Sequence, residues 1–189
     1  LMYGPGDSEV NVLDMEIDAS QNIWLGGQSK FVQSDVGEGF VMLVDKFGET
    51  LFSQTYASGA SAGDVISKVA IVGNTYIAVG TSDTGTNSHF ILAFNATGHV
   101  IKNLQIATDT TKIANTASIT ELYMQGTEAH VVFDNSVVNV IDTAGVIDDR
   151  YVGISGQSGN ILRIVAHASH TKYSIFAVKN GQLSVYWYD

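Results

Sequence analysis

The sequence predicts an all-β fold, a β-propeller or propeller-like array of about four four-stranded blades. One turn pattern, Asp/Asn-x-x-Gly, occurs at 45–48, 95–98 and 142–145. The steps between copies are 50 (45 to 95) and 47 (95 to 142) residues, and Asp189 lies 47 residues further on (142 to 189). Each copy follows an apolar run, as at 40–44 and 90–94, and no segment has the apolar spacing of a helix. A strand-built period of roughly 40 to 50 residues is typical of propellers.

Each repeat is predicted to contain four strands. Residues 12–17 alternate apolar and polar side chains, the period-two pattern of a half-buried strand, and Gly, Asn, Asp and Ser favour a turn after them. The first strands are predicted at 12–17, 65–72, 118–124 and 161–167, and the second strands at 23–27, 76–80, 130–133 and 173–178. The third strands are predicted at 40–44, 90–94, 137–141 and 183–188, and the fourth strands at 49–56, 99–106 and 146–152.

The predicted organisation is a single propeller domain over 1–189. Its repeat units are roughly 7–57, 58–108, 109–156 and 157–189 together with 1–6. Residues 1–4 resemble 54–57, the end of a fourth strand, and the chain stops after a third strand. We therefore expect one blade to be assembled from both termini, with 1–4 beside 183–188, or to be truncated in an excerpt of a longer chain.

Composition excludes several classes of function. The net charge is -10 at pH 7 and 15% of residues are charged, which disfavours nucleic acid as a partner because binding it calls for basic patches. The absence of cysteine excludes disulfides and thiolate metal sites. No apolar run approaches the ~18 residues of a membrane span, so we expect no membrane insertion. The chain opens with Leu1 and without a signal-peptide pattern, which indicates a processed chain or an excerpt.

The first unit resembles repeats of secreted and cell-surface β-propeller proteins. The residues that carry the resemblance are Asp18, then 22–27 (Asn-Ile-Trp-Leu-Gly-Gly), then Asp45-x-x-Gly48. The second unit keeps Asn74, Tyr76 and Gly80. The resemblance extends over nearly the whole chain and is clearest in the first unit. It implies a propeller fold and an extracellular or cell-surface location, but such folds host unrelated functions.

Charged residues recur at similar depth in the predicted first strands. These are Asp14 (with Glu16), Lys68, Glu121 and Arg163. Because the first strand of each propeller blade lines the central channel, we expect alternating charges side by side around it. The structural interpretation is a girdle of ion pairs that fixes blade packing, with a net stability reduced by desolvation. The alternative is a polar channel mouth that holds an ion or a small ligand.

Other candidate sites are weak. His167 and His170 lie three residues apart, which on a strand places them on opposite faces, so no metal site is predicted. Residues 18–22 faintly resemble a calcium loop but lack its central Gly and terminal Glu, and a self-bonded turn explains them. No cofactor is therefore predicted, and calcium is the one left open. The Gly-rich stretch 153–159 precedes no helix that would bind phosphate. Asn95-Ala96-Thr97 is a formal N-glycosylation sequon on a predicted turn.

The sequence contains no nucleophile elbow and no zinc-protease motif. The leading hypothesis is therefore a non-enzymatic extracellular propeller that binds a protein or a glycan, or builds a surface assembly, including by self-assembly. One alternative is a glycan lyase or hydrolase, for which paired carboxylates are needed and Asp14 and Glu16 are the candidates. The other alternative is an intracellular protein-interaction propeller.

Overall fold

A computed structural model describes eleven stretches of the chain, and all regular structure within them is β-strand. The described residues are 8–31, 36–58, 63–82, 89–106, 118–125, 128–133, 137–142, 147–151, 160–166, 173–179 and 181–188. The chain divides into two compact units, Leu1–Thr108 and Asp109–Asp189.

The first unit contains two four-stranded antiparallel sheets. The first sheet consists of β1 (Ser8–Ile17), β2 (Ile23–Phe31), β3 (Gly37–Val44) and β4 (Thr50–Tyr56), in that spatial order. The second sheet consists of β5 (Asp64–Val72), β6 (Thr75–Ser82), β7 (His89–Phe94) and β8 (Val100–Ile106), also in sequence order. Each sheet is thus a meander whose first and last strands are its edges.

The second unit contains one four-stranded and one three-stranded sheet. The four-stranded sheet consists of β9 (Ile119–Gln125), β10 (Glu128–Phe133), β11 (Val137–Asp142) and β12 (Ile147–Tyr151). The three-stranded sheet consists of β13 (Asn160–Ala166), β14 (Tyr173–Lys179) and β15 (Gln182–Tyr188). Residues 1–4 lie outside the described part of the chain, so their pairing with β15 stays a prediction.

The predicted repeat is confirmed at the level of strands. The apolar runs 40–44 and 90–94 fall in β3 and β7, the third strands of their sheets. Each of the other predicted strands overlaps an observed strand in the same place within its sheet. The turn pattern therefore marks the boundary between third and fourth strands. The single-domain organisation stays a prediction.

The core of the first unit lies between its two sheets and is centred on Trp24. The Trp24 side chain is fully buried, and its Nε1 donates a hydrogen bond of 2.9 Å to the carbonyl of Ile77. Its ring lies 5.5 Å from that of Tyr76 and 5.6 Å from those of Phe52 and Phe94, between centroids. Burial of each such side chain contributes about 1.5 to 3 kcal/mol, so this cluster holds the two sheets together.

The close approach of the two sheets requires a glycine at position 26, two residues after Trp24 on β2. A Cβ added to Gly26 would lie 2.5 Å from Cγ1 of Val69 and 2.7 Å from Cγ2 of Ile66. Contacts this short do not occur between real side chains, so a larger residue would push β2 and β5 apart. Gly26 therefore allows β2 and β5 to pack at this short distance.

Among the described residues, no helix has the length and apolarity needed to cross a membrane.

Candidate functional site

Two carboxylates of β1 reach across to β5. The Asp14 Oδ2 atom accepts a hydrogen bond of 3.0 Å from the backbone N–H of Val69. The Glu16 carboxylate accepts one from the backbone of Ile71. Because side chains two residues apart on a strand share a face, the pair Asp14 and Glu16 matches N–H groups two residues apart on β5. The carboxylates thus take the place that a neighbouring strand's carbonyls would occupy.

Local strand geometry explains the spacing of this pair. The pairing of β1 with β2 shifts register between Val12 and Asp14, so Leu13 is an extra residue of a β-bulge. After the bulge β1 pairs regularly, with Asp14 opposite Gly26 and Glu16 opposite Trp24. Both partners belong to the face that packs on the second sheet. The bulge therefore directs both carboxylates towards β5.

Contact with β5 partly desolvates the Glu16 carboxylate, although the residue as a whole is exposed. Desolvation raises the pKa of Glu16, the hydrogen bond from the backbone of Ile71 lowers it, and the negative charge of Asp14 raises it again. The net effect is a raised pKa, since burial penalises the charged form. Glu16 therefore keeps its proton to a higher pH than an ordinary glutamate does.

Two of the four residues predicted to form the girdle, Asp14 and Lys68, lie close together. Lys68 Nζ lies 3.9 Å from Asp14 Oδ1, and the two side chains are each 27% exposed. Glu121 lies on β9 and Arg163 on β13; the Arg163 side chain is outside the described atoms. The pairing of Glu121 and Arg163, and a common axis for all four residues, stay predictions.

The turn at Asp18 is built by the aspartate itself. Asp18 Oδ1 accepts hydrogen bonds of 2.8 Å from the backbone N–H groups of Ser20 and Asn22. Its Oδ2 accepts bonds of 2.8 Å from the Asn22 side-chain amide and from the Tyr76 hydroxyl. Burial raises the pKa of Asp18, but these donors outweigh it and the net shift is downward. Four donors directed at one carboxylate explain the turn without a cation, and calcium at this turn is untested.

Asn95 builds an equivalent turn between β7 and β8. Its Oδ1 accepts hydrogen bonds from the Thr97 N–H at 3.0 Å, the Thr97 Oγ1 at 2.8 Å and the His99 N–H at 2.9 Å. The turn thus uses the carbonyl oxygen of the side chain. The Nδ2 atom, to which an N-glycan would be attached, takes no part in these three bonds. Glycosylation of Asn95 stays a prediction with which the turn is compatible.

A buried cluster of Ser58, Asp64 and Ser82 has no motif in the sequence that would reveal it. The fully buried Asp64 accepts hydrogen bonds from the Ser58 N–H at 2.6 Å and from Ser58 Oγ at 2.8 Å. Ser58 Oγ also lies 2.5 Å from Ser82 Oγ. Since the Ser58 hydroxyl has one proton and gives it to Asp64, Ser82 is the donor in that contact. The cluster ties the connection after β4 to the first residue of β5.

Within the stretches that the structure describes, no three His, Asp or Glu side chains gather to hold a metal ion. His167, His170 and the Gly-rich segment 153–159 lie outside those stretches. The predictions made for them remain open.

Comparison with solved structures reveals similarity to β-propellers. The β-propeller domain of Myceliophteria thermophila Cps50 (Swd1) matches with a TM-score of 0.59 and 13% identity, over 95% of this chain and 54% of that one. The Dos1 propeller matches with a TM-score of 0.59 and 14% identity, over 94% and 41%. This chain folds as a propeller-like array of blades. Identities this low establish the fold alone, and the predicted fold class is confirmed.

The share of the matched protein that this chain covers differs among these structures. It spans 54% of the first propeller and 41% of the second. By contrast, the computationally designed Ika4 protein matches over 100% of this chain and 96% of its own, with a TM-score of 0.56 and 13% identity. No protein-family model matches the sequence, and no protein with a curated description matches it either. The resemblance to secreted and cell-surface propellers therefore stays a prediction.

Proposed function

We propose that this chain is a non-enzymatic binding propeller whose partner is a protein. The observation that supports the proposal is a contrast within the first unit. The carboxylates that sequence analysis offered for chemistry are bonded within the fold: Asp14 to Val69, Asp18 to its own turn, Glu16 to Ile71. Several large apolar side chains of the same unit are exposed instead. Exposed apolar side chains that lie together on a surface are typical of protein-interaction sites.

The glycan-active alternative is less well supported. Its general acid needs a raised pKa, which Glu16 has, but its second carboxylate must be free to act on substrate or water. Asp14 is bonded to the Val69 N–H and lies beside Lys68. Catalysis by this pair would require breaking contacts that join the two sheets.

The test of the proposal has a binding arm and a turnover arm. Cross-linking of the full chain in extract of its source cells should identify a protein. Its recombinant form should then bind the chain saturably by isothermal titration calorimetry. In the second arm the chain is incubated with a glycan panel. Product release that is lost in Asp14→Asn or Glu16→Gln, with both variants folded by circular dichroism, would overturn the proposal.

The setting that we propose is extracellular, and Asn95 offers its most direct test. Expression of the full chain in a eukaryotic secretory host should add a glycan, visible as a mass shift. Asn95→Asp is the matched variant, because Asp45 shows that an aspartate carboxylate supports the same turn: it accepts from the N–H groups of Phe47 and Glu49. An unmodified chain from the secretory host, together with cytosolic staining in source cells, would favour the intracellular alternative.

A further inference from the structure

The strand β4 is the last strand of the first sheet. Within the described strands, β3 is the neighbour that pairs with β4. The side chains of Phe52, Gln54 and Tyr56 are partly buried, and those of Ser53 and Thr55 between them are exposed. This alternation gives β4 one face that packs on the protein and one face in contact with solvent.

The packed face holds β4 in place. The ring of Phe52 lies 6.3 Å from that of Phe94 in the second sheet, between centroids. Gln54 Nε2 donates a hydrogen bond of 2.6 Å to the carbonyl of Gly98. These contacts use side chains on one face, whereas strand pairing uses backbone groups in the plane of the sheet. The second sheet therefore fixes β4 without occupying its backbone edge.

The edge at β4 lacks the charges that usually protect such strands. An edge strand exposes a row of unpaired backbone groups, and natural proteins guard it with lysine, proline or other charged residues. Residues 50–56 contain no Asp, Glu, Lys, Arg or Pro. The other strands at sheet ends in the first unit, β1, β5 and β8, all contain charged residues, which are Glu9, Asp14, Glu16, Asp64, Lys68 and Lys102.

The regular part of β4 is complementary to itself. The register with β3 shifts at a β-bulge, where Leu51 is the extra residue, and residues 52–56 then pair without a shift. Two antiparallel copies of this stretch, with Gln54 opposite Gln54, bring Ser53 of each copy opposite Thr55 of the other. Pairs of Ser and Thr hydroxyls stabilise antiparallel sheets, and a two-fold axis forms this pair twice.

Charge favours a second copy of the chain as the occupant of this edge. Each copy has a net charge of -10, so two copies repel one another over most of their surfaces. An uncharged strand is the place where this repulsion is weakest. A strongly charged partner, by contrast, would find no opposite charge on β4.

We propose that two copies of this chain associate edge to edge through β4, antiparallel, about a two-fold axis at Gln54. The first sheets of the two copies then form one continuous sheet, to which each copy contributes four strands. This inference goes beyond the proposed function and does not rest on it, because it concerns the assembly of the chain with itself.

The test is sedimentation equilibrium of the full chain over a range of concentrations. The mass should rise with concentration towards twice the 20.2 kDa of one chain. Because repulsion between acidic copies opposes association, raising NaCl from about 50 to 300 mM should tighten it. A chain that remains monomeric up to about 1 mM would overturn the inference. Titration with the cross-linked partner would then still decide the proposed function separately.

Charge substitutions on β4 test the pairing and its register. Ser53→Lys/Thr55→Lys places lysine opposite lysine in both pairs and should weaken association at least about tenfold, although it reduces the net charge from -10 to -8. Ser53→Lys/Thr55→Glu places lysine opposite glutamate in both pairs and should associate at least as tightly as the wild type. Equal loss in the two variants would overturn the inference.

The matched control lies on β8. Asn103 and Gln105 occupy there the places that Ser53 and Thr55 occupy on β4, each opposite the corresponding residue of the third strand. Asn103→Lys/Gln105→Lys changes the net charge by the same amount and should associate as the wild type does. Circular dichroism checks that each variant is folded. Weakening as large as that in Ser53→Lys/Thr55→Lys would contradict an interface at β4.

A second control addresses β15, an uncharged strand at the end of its sheet in the second unit. Residues 1–4 are predicted to pair with β15, which is why we assign the association to β4 instead. Leu183→Lys/Val185→Lys changes two side chains that are 65% and 43% exposed and should leave the association unchanged. Dimers that are lost in this variant and kept in Ser53→Lys/Thr55→Lys would overturn the inference.

Discussion

A single backbone conformation explains the turns that mark the repeat, and it extends to a turn that the pattern missed. Gly48 and Gly98 end their Asp/Asn-x-x-Gly turns with φ of 90° and 81°. Gln21 occupies the same place after Asp18, with φ of 67°. In each turn the fourth residue donates its N–H to the carbonyl of the first, at 3.0 Å. The Asp18 turn, which the sequence predicts separately at 18–22, does not fit the Asp/Asn-x-x-Gly pattern because its fourth residue is glutamine, which rarely adopts this conformation.

Substitutions at two glycines allow the cost of backbone strain to be measured separately from the cost of a steric clash. A Cβ on Gly98 would lie 2.7 Å from the Phe52 ring, whereas Gly73, with φ of 55°, has open space around it. Gly73→Ala should therefore lower the free energy of unfolding by about 1 kcal/mol, through left-handed strain alone. Gly98→Ala should cost about 1 to 3 kcal/mol more, because the ring must also move. Urea unfolding of both variants measures the difference.

A variant of Phe52 is the control for the comparison of Gly73→Ala with Gly98→Ala. Phe52→Leu makes room next to position 98, so Gly98→Ala should cost less in that background than in the wild type. Equal costs for the two glycines would mean that the β7–β8 turn does not pack on Phe52.

The Asp18 turn should make stability depend on pH in the acidic range. The pKa of Asp18 is lowered in the folded chain from 3.8. A lowered folded pKa contributes stability above the unfolded value, and that contribution is lost as pH falls through the folded value. Asp18→Asn should therefore be less stable than the wild type at pH 7, and the difference should shrink below about pH 3.8. Thermal unfolding between pH 2 and 7 measures it, and a gap that widens on acidification would contradict the assignment.

At the level of strands and sheets, the sequence shows which residues face inwards but not what they touch. Asp14 and Lys68 could be predicted from the sequence to lie together, because period-two alternation shows to which face of its strand each side chain points. The hydrogen bond from the Val69 N–H to Asp14 could not be predicted, since it depends on the Leu13 bulge. Nor could the Ser58 and Asp64 contact, because it is made by a loop that follows no periodicity.

The ion pair between β1 and β5 should be weaker than a dry pair. In a dry site, Lys68→Met would leave Asp14 uncompensated and cost on the order of 1 to 3 kcal/mol. The pair is 3.9 Å long and 27% exposed on each side, and Val69 N–H already bonds Asp14. Lys68→Met should therefore lower the free energy of unfolding by about 0.5 to 1 kcal/mol, as measured in urea.

Two double-mutant cycles show which contact of Lys68 accounts for that loss of stability. With Asp14→Asn, Lys68→Met should show a small favourable coupling, since the two side chains are in contact. With Glu121→Gln, coupling would support the girdle beyond the first unit. Additive effects there would restrict the girdle to Asp14 and Lys68.

At the scale of the first unit, the continuous apolar runs 40–44 and 90–94 identify strands, β3 and β7, that are buried on both faces. In β3, Val41 and Leu43 pack around Trp24, whereas Phe40 and Met42 belong to a second cluster on the opposite face. A sheet with two apolar faces cannot bury both of them by itself. It needs other sheets packed on it, which is why such sheets stack as the blades of an array. Because β1 alternates instead, it could be identified from sequence as a half-exposed strand. The polar β4, with Ser53 and Thr55 exposed, is the other edge.

Excess negative charge should make the whole molecule more stable in salt. The chain has 19 Asp and Glu against 9 Lys and Arg, so repulsion outweighs attraction at neutral pH. Salt screens both. Raising NaCl from 10 to 300 mM at pH 7 should therefore raise the melting temperature by about 2 to 4 °C, equivalent to about 1 kcal/mol for a chain of this size. Glu49→Lys changes the net charge from -10 to -8 at an exposed position, and it should reduce this response. A melting temperature that falls with salt would mean that specific ion pairs, not net repulsion, dominate the electrostatics of the fold.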